Sequence, residues 1–445
     1  MKNLFLALLF LTVFSLSGAF KADISLNKAD GFYKCGEKAV CKILIKKDGK
    51  PLAGDTLRVI LKDEGKIILK KDFKTDGKPV SISHTLTHPG WLYFGVELLD
   101  ENGNPRSGKG IRKHRLNPTI ITEIGAIFDA GKIRGTADKP ADFDSFWQQK
   151  RAALDKIPLK AKLTPLPSGD KNVKLYAMEI PCGISRPATG YLAVPANAKK
   201  GSTPAIVEFL SWSSVDASRK SAVNKAKQGF LSIHATWHGF PVGKPKSFYK
   251  KSIPPVIRGG RKFIDDRDKW VMGEVYLRVM RALDFIKSRP EWDHKTLVAA
   301  GGSLGGAQAA AAAALDKDVT IALVGVPCFA EFDTRKSGRI KSIPHRTAPA
   351  VLKGDTKPLE AAAYYDLIHL ARYITCEIFV CTGFTDQLCP PSNVIAFYNA
   401  LNPKCRKTLS TNPRTGHFGT TKNVKGIQRL EKLVNSITVF NYTEK

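Results

Sequence analysis

The sequence predicts an α/β fold, a mostly parallel sheet with helices on both faces, preceded by an all-β sandwich. Three observations carry this. Apolar runs without alternation, "AIVEFL", "LSIHA", "TLVAAGG", "IALVGVP" and "EIFVCTG", recur through the later part of the chain between helical segments such as "EVYLRVMRALDFIKSR". Strands apolar on both sides belong to a parallel sheet covered on both faces. From Ala22 to Pro118 the pattern differs, with short apolar stretches broken by DG, EG and NG turns about every ten residues, the rhythm of antiparallel strands in a sandwich. Third, "LVAAGGSLGGAQAAAAAAL", Leu297 to Leu315, sets a glycine-rich corner around Ser303 between an apolar run and an alanine run. The 445 residues exceed what one core usually serves, and 43% hydrophobic and 25% charged residues are the composition of a globular chain, not a disordered one.

Taken in order, residues 1–19 read as a secretory signal peptide, with Lys2, an apolar run from Leu4 to Leu16, and the small residues Ser17, Gly18 and Ala19 at the cleavage site. The run is shorter than the roughly 18 to 20 residues of a spanning helix. No cysteine follows it to carry a lipid and no later segment reads as transmembrane, so the mature protein is expected to be exported, periplasmic or extracellular. Residues 20–117 form the β-sandwich, immunoglobulin-like, in which Cys41, Ile43 and Ile45 point inward and Lys42, Leu44 and Lys46 outward. Its Trp91 and Phe94 read as core. Residues 118–139 read as a linker, and 140–445 as the α/β domain, opening with a helix that Asp142 or Asp144 can cap and that buries Phe143, Phe146 and Trp147. The segment "AAAYYDLIHLARYI" reads as helical, and the six alanines Ala309 to Ala314 as a helix packed closely on the sheet.

Seventy Lys and Arg against forty Asp and Glu give a formal charge of +30. Such a charge can attract an anionic partner, acidic or sulfated polysaccharide or a cell envelope, or simply solvate the surface, since it speaks to steering and solubility rather than chemistry. Export makes nucleic acid an unsuitable partner. The eight cysteines do not have the spacing of a small disulfide scaffold. Cys376 and Cys381 should point to opposite faces of one strand, and Cys35 and Cys41 could pair only if "CGEKAVC" folds back at Gly36. Buried free thiols are expected for most. No CxxC or Cys/His cluster suggests a metal.

"GGSLG", Gly301 to Gly305, fits the G-x-S-x-G nucleophile elbow, in which small residues let a strand turn sharply into a helix and hold the serine at the tip. A serine hydroxyl needs a base, and the base an orienting acid. In this arrangement the acid and the histidine follow the serine in that order on later strands. "EIFVCTGFTDQLCPP" places Asp386 past an apolar strand, and "RKTLSTNPRTGHFG" places His417 in a glycine-flanked loop after the next one. A capping aspartate and a surface histidine are the alternative readings of these two. Asp366 and His369 fall inside a helical stretch, and Asp333 comes before the expected strand.

"AGGSLGGAQA", "VPCFAEF", "TDQLCPPSNVIAFYN", "GHFG" and the lead-in "PADFDSFW" together resemble the acetyl xylan esterase and cephalosporin-C deacetylase family of α/β-hydrolases, carbohydrate esterase family 7. The resemblance covers about residues 140–445. It implies Ser303 as nucleophile, Asp386 as acid and His417 as base, an oxyanion hole from the backbone N–H groups of Leu304 and Trp212, no cofactor, and an acetylated carbohydrate such as xylan or xylo-oligosaccharide as substrate. The family usually has tyrosine at the position of Trp212. Where it carries an Arg-Gly-Gln-Gly signature this chain has "HATWHGFPVG", which makes His238 a candidate for the substrate pocket or for a histidine that fixes the loop. The export signal and the extra β-domain put location and oligomeric state beyond the resemblance. Another acyl ester or a peptide as substrate, or an inert glycan-binding protein, are the competing readings.

Overall fold

The computed structural model describes residues 20–106, 118–343, 345, 348–418 and 426–433; the expected signal peptide, 1–19, lies outside them. The N-terminal part carries nine strands, β1 (Phe20–Leu26), β2 (Phe32–Tyr33), β3 (Ala39–Lys47), β4 (Lys50–Pro51), β5 (Ala53–Asp63), β6 (Lys66–Asp76), β7 (Val80–His84), β8 (Gly90–Leu99) and β9 (Ile120–Phe128). One sheet runs β1-β3-β4 with β7 also on β3, and a second runs β2-β9-β8-β5-β6. Cys41, Ile43 and Ile45 of β3 face Val59, Leu61, Phe94 and Val96 across one core, as the alternation of the sequence requires.

Strand β8 has two insides. Leu92, Phe94, Val96 and Leu98 fill the sandwich core, while Trp91 and Tyr93 belong to the core of the following domain. Strand β9 is likewise buried throughout, and it pairs antiparallel with β8 from Gly90 opposite Phe128 to Glu97 opposite Ile120. This corrects the reading of 118–139 as a linker. "IITEIGAIF" has apolar residues on both sides because both sides are covered, so it lacks the alternation that marks a half-exposed strand.

The second part is built on a nine-stranded sheet of β10 (Lys162–Leu166), β11 (Val173–Ile180), β12 (Ala188–Pro195), β13 (Thr203–Phe209), β14 (Leu231–Ala235), β15 (Trp292–Gly302), β16 (Ile321–Gly325), β17 (Glu377–Gly383) and β18 (Lys407–Asn412), in the order β10-β11-β12-β14-β13-β15-β16-β17-β18. The first four strands in space each run antiparallel to the next; from β14 to β18 all neighbours are parallel. Ala205, Val207, Leu297 and Ala299 point into the large core, and Ile206, Val298 and Ile321 into a smaller one with Leu430 on the opposite face. Helices α1 (Phe143–Asp155), α2 (Arg219–Lys227), α3 (Lys246–Lys262), α4 (Val271–Lys287) and α5 (Leu304–Leu315) follow in the chain, then α6 (Pro349–Leu352), α7 (Lys357–Ala362), α8 (Leu367–Leu370) and α9 (Pro391–Ala400). Alanine from Ala309 to Ala313 is buried, letting α5 sit against β15, β16 and α4.

The expected helix over "AAAYYDLIHLARYI" is broken into short turns, because Asp366 leaves helical geometry and caps the next turn through the Ile368 N–H. All eight cysteines are free thiols. Among the described residues no helix is long and apolar enough to cross a membrane.

Candidate active site

Ser303 sits where β15 turns into α5, with φ 58° and ψ −122°, a strained conformation for a residue with a side chain. The motif glycines make that turn possible. A Cβ on Gly301 would lie 2.3 Å from the Gly305 carbonyl oxygen, and one on Gly305 would lie 2.2 Å from that of Phe209. Gly302, between them, has nothing closer than 3.9 Å, so the close approach is needed at the two outer glycines and not at the middle one. Leu304 is the first residue of α5, so its N–H belongs to the unpaired, electropositive end of the helix beside the serine. Gln308, one turn later and buried, donates its amide to the carbonyls of Leu210 (3.0 Å) and Leu304 (3.2 Å) and so ties the loop after β13 to the elbow. No motif marked it in the sequence.

Three segments far apart in the chain converge at this tip. His417 Nε2 lies 2.9 Å from Ser303 Oγ, and its Nδ1 lies 2.8 Å from Asp386 Oδ2. An ionised carboxylate can only accept, which places the imidazole proton on Nδ1 and leaves Nε2 to accept from the hydroxyl. The other Asp386 oxygen accepts from the N–H groups of Leu388 (2.8 Å) and Cys389 (2.9 Å), and the side chain is fully buried. Burial lowers the pKa of His417, but the hydrogen-bonded Asp386 carboxylate and the Cys389 sulfur beside the ring outweigh it and raise the pKa above the ordinary histidine value. Asp386, Cys389 and His417 also bring donor atoms within 4.8 Å of one another. They do not suit an ion: burial pushes the Cys389 thiol well above its usual range, and the Asp386 oxygens are committed to N–H donors.

The loops carrying the acid and the histidine are fastened to each other and to the sandwich. Thr385 N–H donates to the Thr415 carbonyl at 3.0 Å and Phe384 N–H to that of Asn412 at 2.9 Å. From the sandwich, the Trp91 indole N–H donates to the Phe384 carbonyl at 2.7 Å, the Gly125 N–H donates to the Pro413 carbonyl at 2.8 Å, and Lys62 Nζ donates to Gln387 at 2.6 Å. The Glu64 carboxylate accepts from the Trp91 N–H (2.8 Å) and from the Ser392 hydroxyl at the start of α9 (2.7 Å). Burial raises the pKa of Glu64 to about 7 against these bonds. Phe384 and Phe32 meet edge to face at 5.2 Å. None of these long-range partners was legible as functional in the sequence.

Ser303 and His417 open into a pocket of about 320 Å³ whose wall is mostly apolar and aromatic, with Trp212, Trp270, Met272, Phe329, Leu388 and Phe418. Leu304 and Trp212, the two expected oxyanion donors, both line it next to Ser303. Trp212 is 41% exposed, and its ring stacks at 4.5 Å on that of the fully buried Trp237. His238 is a correction to the pocket reading. It is fully buried, its Nδ1 accepts from the Phe240 N–H and its Nε2 donates to the Val215 carbonyl, and burial lowers its pKa to about 4. With both nitrogens used on backbone it fixes the loop and does not line the pocket.

Sheet order, elbow and pocket define an enzyme of the α/β-hydrolase type, a carboxylic ester hydrolase. Solved acetyl xylan esterases share the fold: that of Paenibacillus sp. R4 superposes with a TM-score of 0.59 at 23% identity over 69% of this chain and 98% of its own, and acetyl xylan esterase 1 of a Thermoanaerobacterium species with 0.58 at 20% identity over 69% and 97%. The sequence model of the acetyl xylan esterase family (AXE1) matches residues 129–429, and the chain belongs to that family. Acetyl esterase Axe7A of Xylanibacter ruminicola is 26% identical over 408 residues, 89% of this chain and 86% of its own, a match that extends well into the N-terminal β-region.

Proposed function

We propose that the protein is an exported serine esterase that removes acetyl groups from carbohydrate esters such as acetylated xylan or xylo-oligosaccharides. The observation that supports it most is the unbroken hydrogen-bonded chain from Ser303 through His417 to Asp386 at the mouth of the pocket. In this reading Ser303 attacks the acetyl carbonyl while His417 takes the hydroxyl proton and Asp386 stabilises the imidazolium. The N–H groups of Leu304 and Trp212 bind the oxyanion, each contributing about 3 kcal/mol in comparable sites. His417 returns the proton to the departing sugar oxygen, then activates the water that releases acetate and restores Ser303. The aromatic wall beside the serine suits the face of a sugar ring, and a volume of about 320 Å³ suits a small ester.

The test is acetate release from acetylated xylan by the chain beginning after Ala19. Ser303→Ala is expected to lower kcat by at least about 10³-fold with the fold intact by circular dichroism. Full activity in that variant would remove the catalytic assignment. A rate on p-nitrophenyl esters that grows with acyl length would instead favour a longer acyl substrate.

A further inference from the structure

The charge of +30 plays no part in the chemistry above, yet it is not evenly distributed around the pocket. Between Gly243 and Phe263 the chain carries Lys244, Lys246, Lys250, Lys251, Arg258, Arg261 and Lys262 and not one Asp or Glu. This stretch contains α3, and α3 is a wall of the active-site pocket, to which it contributes Ile257, Gly260 and Arg261. A Cβ on Gly260 would meet Val271 of α4 at 2.7 Å, so the helix is seated directly on the element behind it.

Helical spacing places Lys250, Ile257 and Arg261 on one stripe, at i, i+7 and i+11, with Arg258 and Lys262 on the adjoining stripe. Arg258, Arg261 and Lys262 are all exposed. Among the described residues none of the seven basic side chains of this segment has a carboxylate within ion-pair distance, whereas Lys150 and Arg151 of α1 and Arg278, Arg281 and Lys287 of α4 each do. The aspartates that follow α3 do not supply one. Asp266 is matched by Lys269, Asp268 by Lys150, and Asp265 lines a separate surface hollow with Lys139 and Lys357. Apart from His417, Arg261 is the one ionisable nitrogen base among the described residues that line the pocket. An unpaired arginine fork at the mouth of an otherwise apolar cavity is suited to a planar oxyanion.

We infer that the α3 wall, led by Arg261 with Arg258 and Lys262, is a subsite for a carboxylate or sulfate carried by the acetylated saccharide, so that the enzyme prefers anionic acetylated sugars to neutral ones. This rests on the carbohydrate deacetylase reading and adds to it the charge class of the substrate. The ester is delivered to Ser303 while the anion lies against α3, so the contact raises kcat/KM chiefly through binding and encounter, and it weakens with added salt.

Two acetylated sugars that differ by one carboxylate separate the possibilities: fully acetylated methyl β-xyloside and fully acetylated methyl β-glucuronide in its free acid form. At low ionic strength the wild type is expected to have a kcat/KM about tenfold higher for the glucuronide, the effect of two or three exposed charge pairs, and most of that preference is expected to vanish in high salt. The triple variant Arg258→Gln/Arg261→Gln/Lys262→Gln should bring the ratio of the two kcat/KM values close to one. A control that removes as many exposed charges from the sandwich, Lys66→Gln/Lys70→Gln/Lys74→Gln, should keep the ratio. Equal rates on both sugars in the wild type would overturn the inference, and so would a preference that survives the α3 variant or disappears equally in the control. Failure to deacetylate either sugar, with Ser303-dependent hydrolysis of p-nitrophenyl acetate retained, would instead overturn the carbohydrate reading on which it stands.

Discussion

The two sides of the pocket are built on opposite terms. Behind Ser303, the loops of Asp386 and His417 are held by backbone hydrogen bonds to each other and by Trp91, Glu64, Lys62 and Gly125 of the sandwich. In front of it, α3 presents basic side chains to solvent with no acidic partner among the described residues. On the proposed reading the difference follows from the task assigned to each side. A base must be kept within tenths of an ångström of its nucleophile, which takes many simultaneous constraints. A surface proposed to meet a ligand keeps its charges unpaired, because a charge already matched inside the protein has little left to offer.

Four variants, the first paired with a control, test this contrast, from the strongest effect to the weakest. Gly125→Ala puts a Cβ 2.0 Å from the Phe384 carbonyl oxygen, two residues before Asp386. Backbone must move to relieve it, and kcat is expected to fall about 100-fold, as for a displacement of about 1 Å in a catalytic group. Gly131→Ala, whose Cβ would meet nothing within 4 Å, should leave kcat unaltered and serves as the control. Equal kinetics in the two variants would show that the sandwich does not brace the acid loop.

Glu64→Gln probes the same seam through pH. The folded pKa of Glu64 is raised from 4.5 to about 7, so its protonated form stabilises the fold at low pH, and that contribution is lost as pH rises from 4.5 through 7. By pH 8 the loss is on the order of 3 kcal/mol. The variant should therefore melt at or above the wild-type temperature at pH 8, with the advantage shrinking towards pH 4.5. Parallel Tm curves from pH 4.5 to 8 would place the titration elsewhere.

Trp91→Phe leaves the Phe384 carbonyl without its indole donor, at an expected cost of about 1–3 kcal/mol in chemical denaturation and a severalfold lower kcat with KM nearly constant. A change in KM alone would mean that Trp91 acts on the pocket and not on the acid loop. At the weak end, Arg258→Gln/Lys262→Gln on α3 should change the unfolding free energy by no more than about 0.5 kcal/mol, since no ion pair is broken. A larger loss would reveal a structural role for that face.

The parts of this arrangement that were legible in the sequence are those whose cause is local. Gly301 and Gly305 were readable because chain geometry at the elbow forbids a Cβ there, and β3 because one face is wet and the other dry. Asp386 and His417 followed from their order after the serine and their position past apolar strands. Strand β9 was missed because contact with a second domain erased its alternation. For His238 the pocket and the loop-fixing readings stay open in the sequence, because nothing in "HATWHGF" reveals that both ring nitrogens are spent on backbone. Gln308, Trp91 and Glu64 owe their roles to partners as far as 328 positions away. No spacing rule reports contacts of that kind.

Strand β8 gives one set of alternate side chains to the sandwich and the other to the hydrolase. A module attached in this way is not a detachable cassette. A cut at the apparent linker would strip β9 from its partner and bare the Trp91 face at once, so shuffling this β-region onto another esterase, or trimming it to shorten the enzyme, would succeed only where the recipient carries a matching seat for that indole.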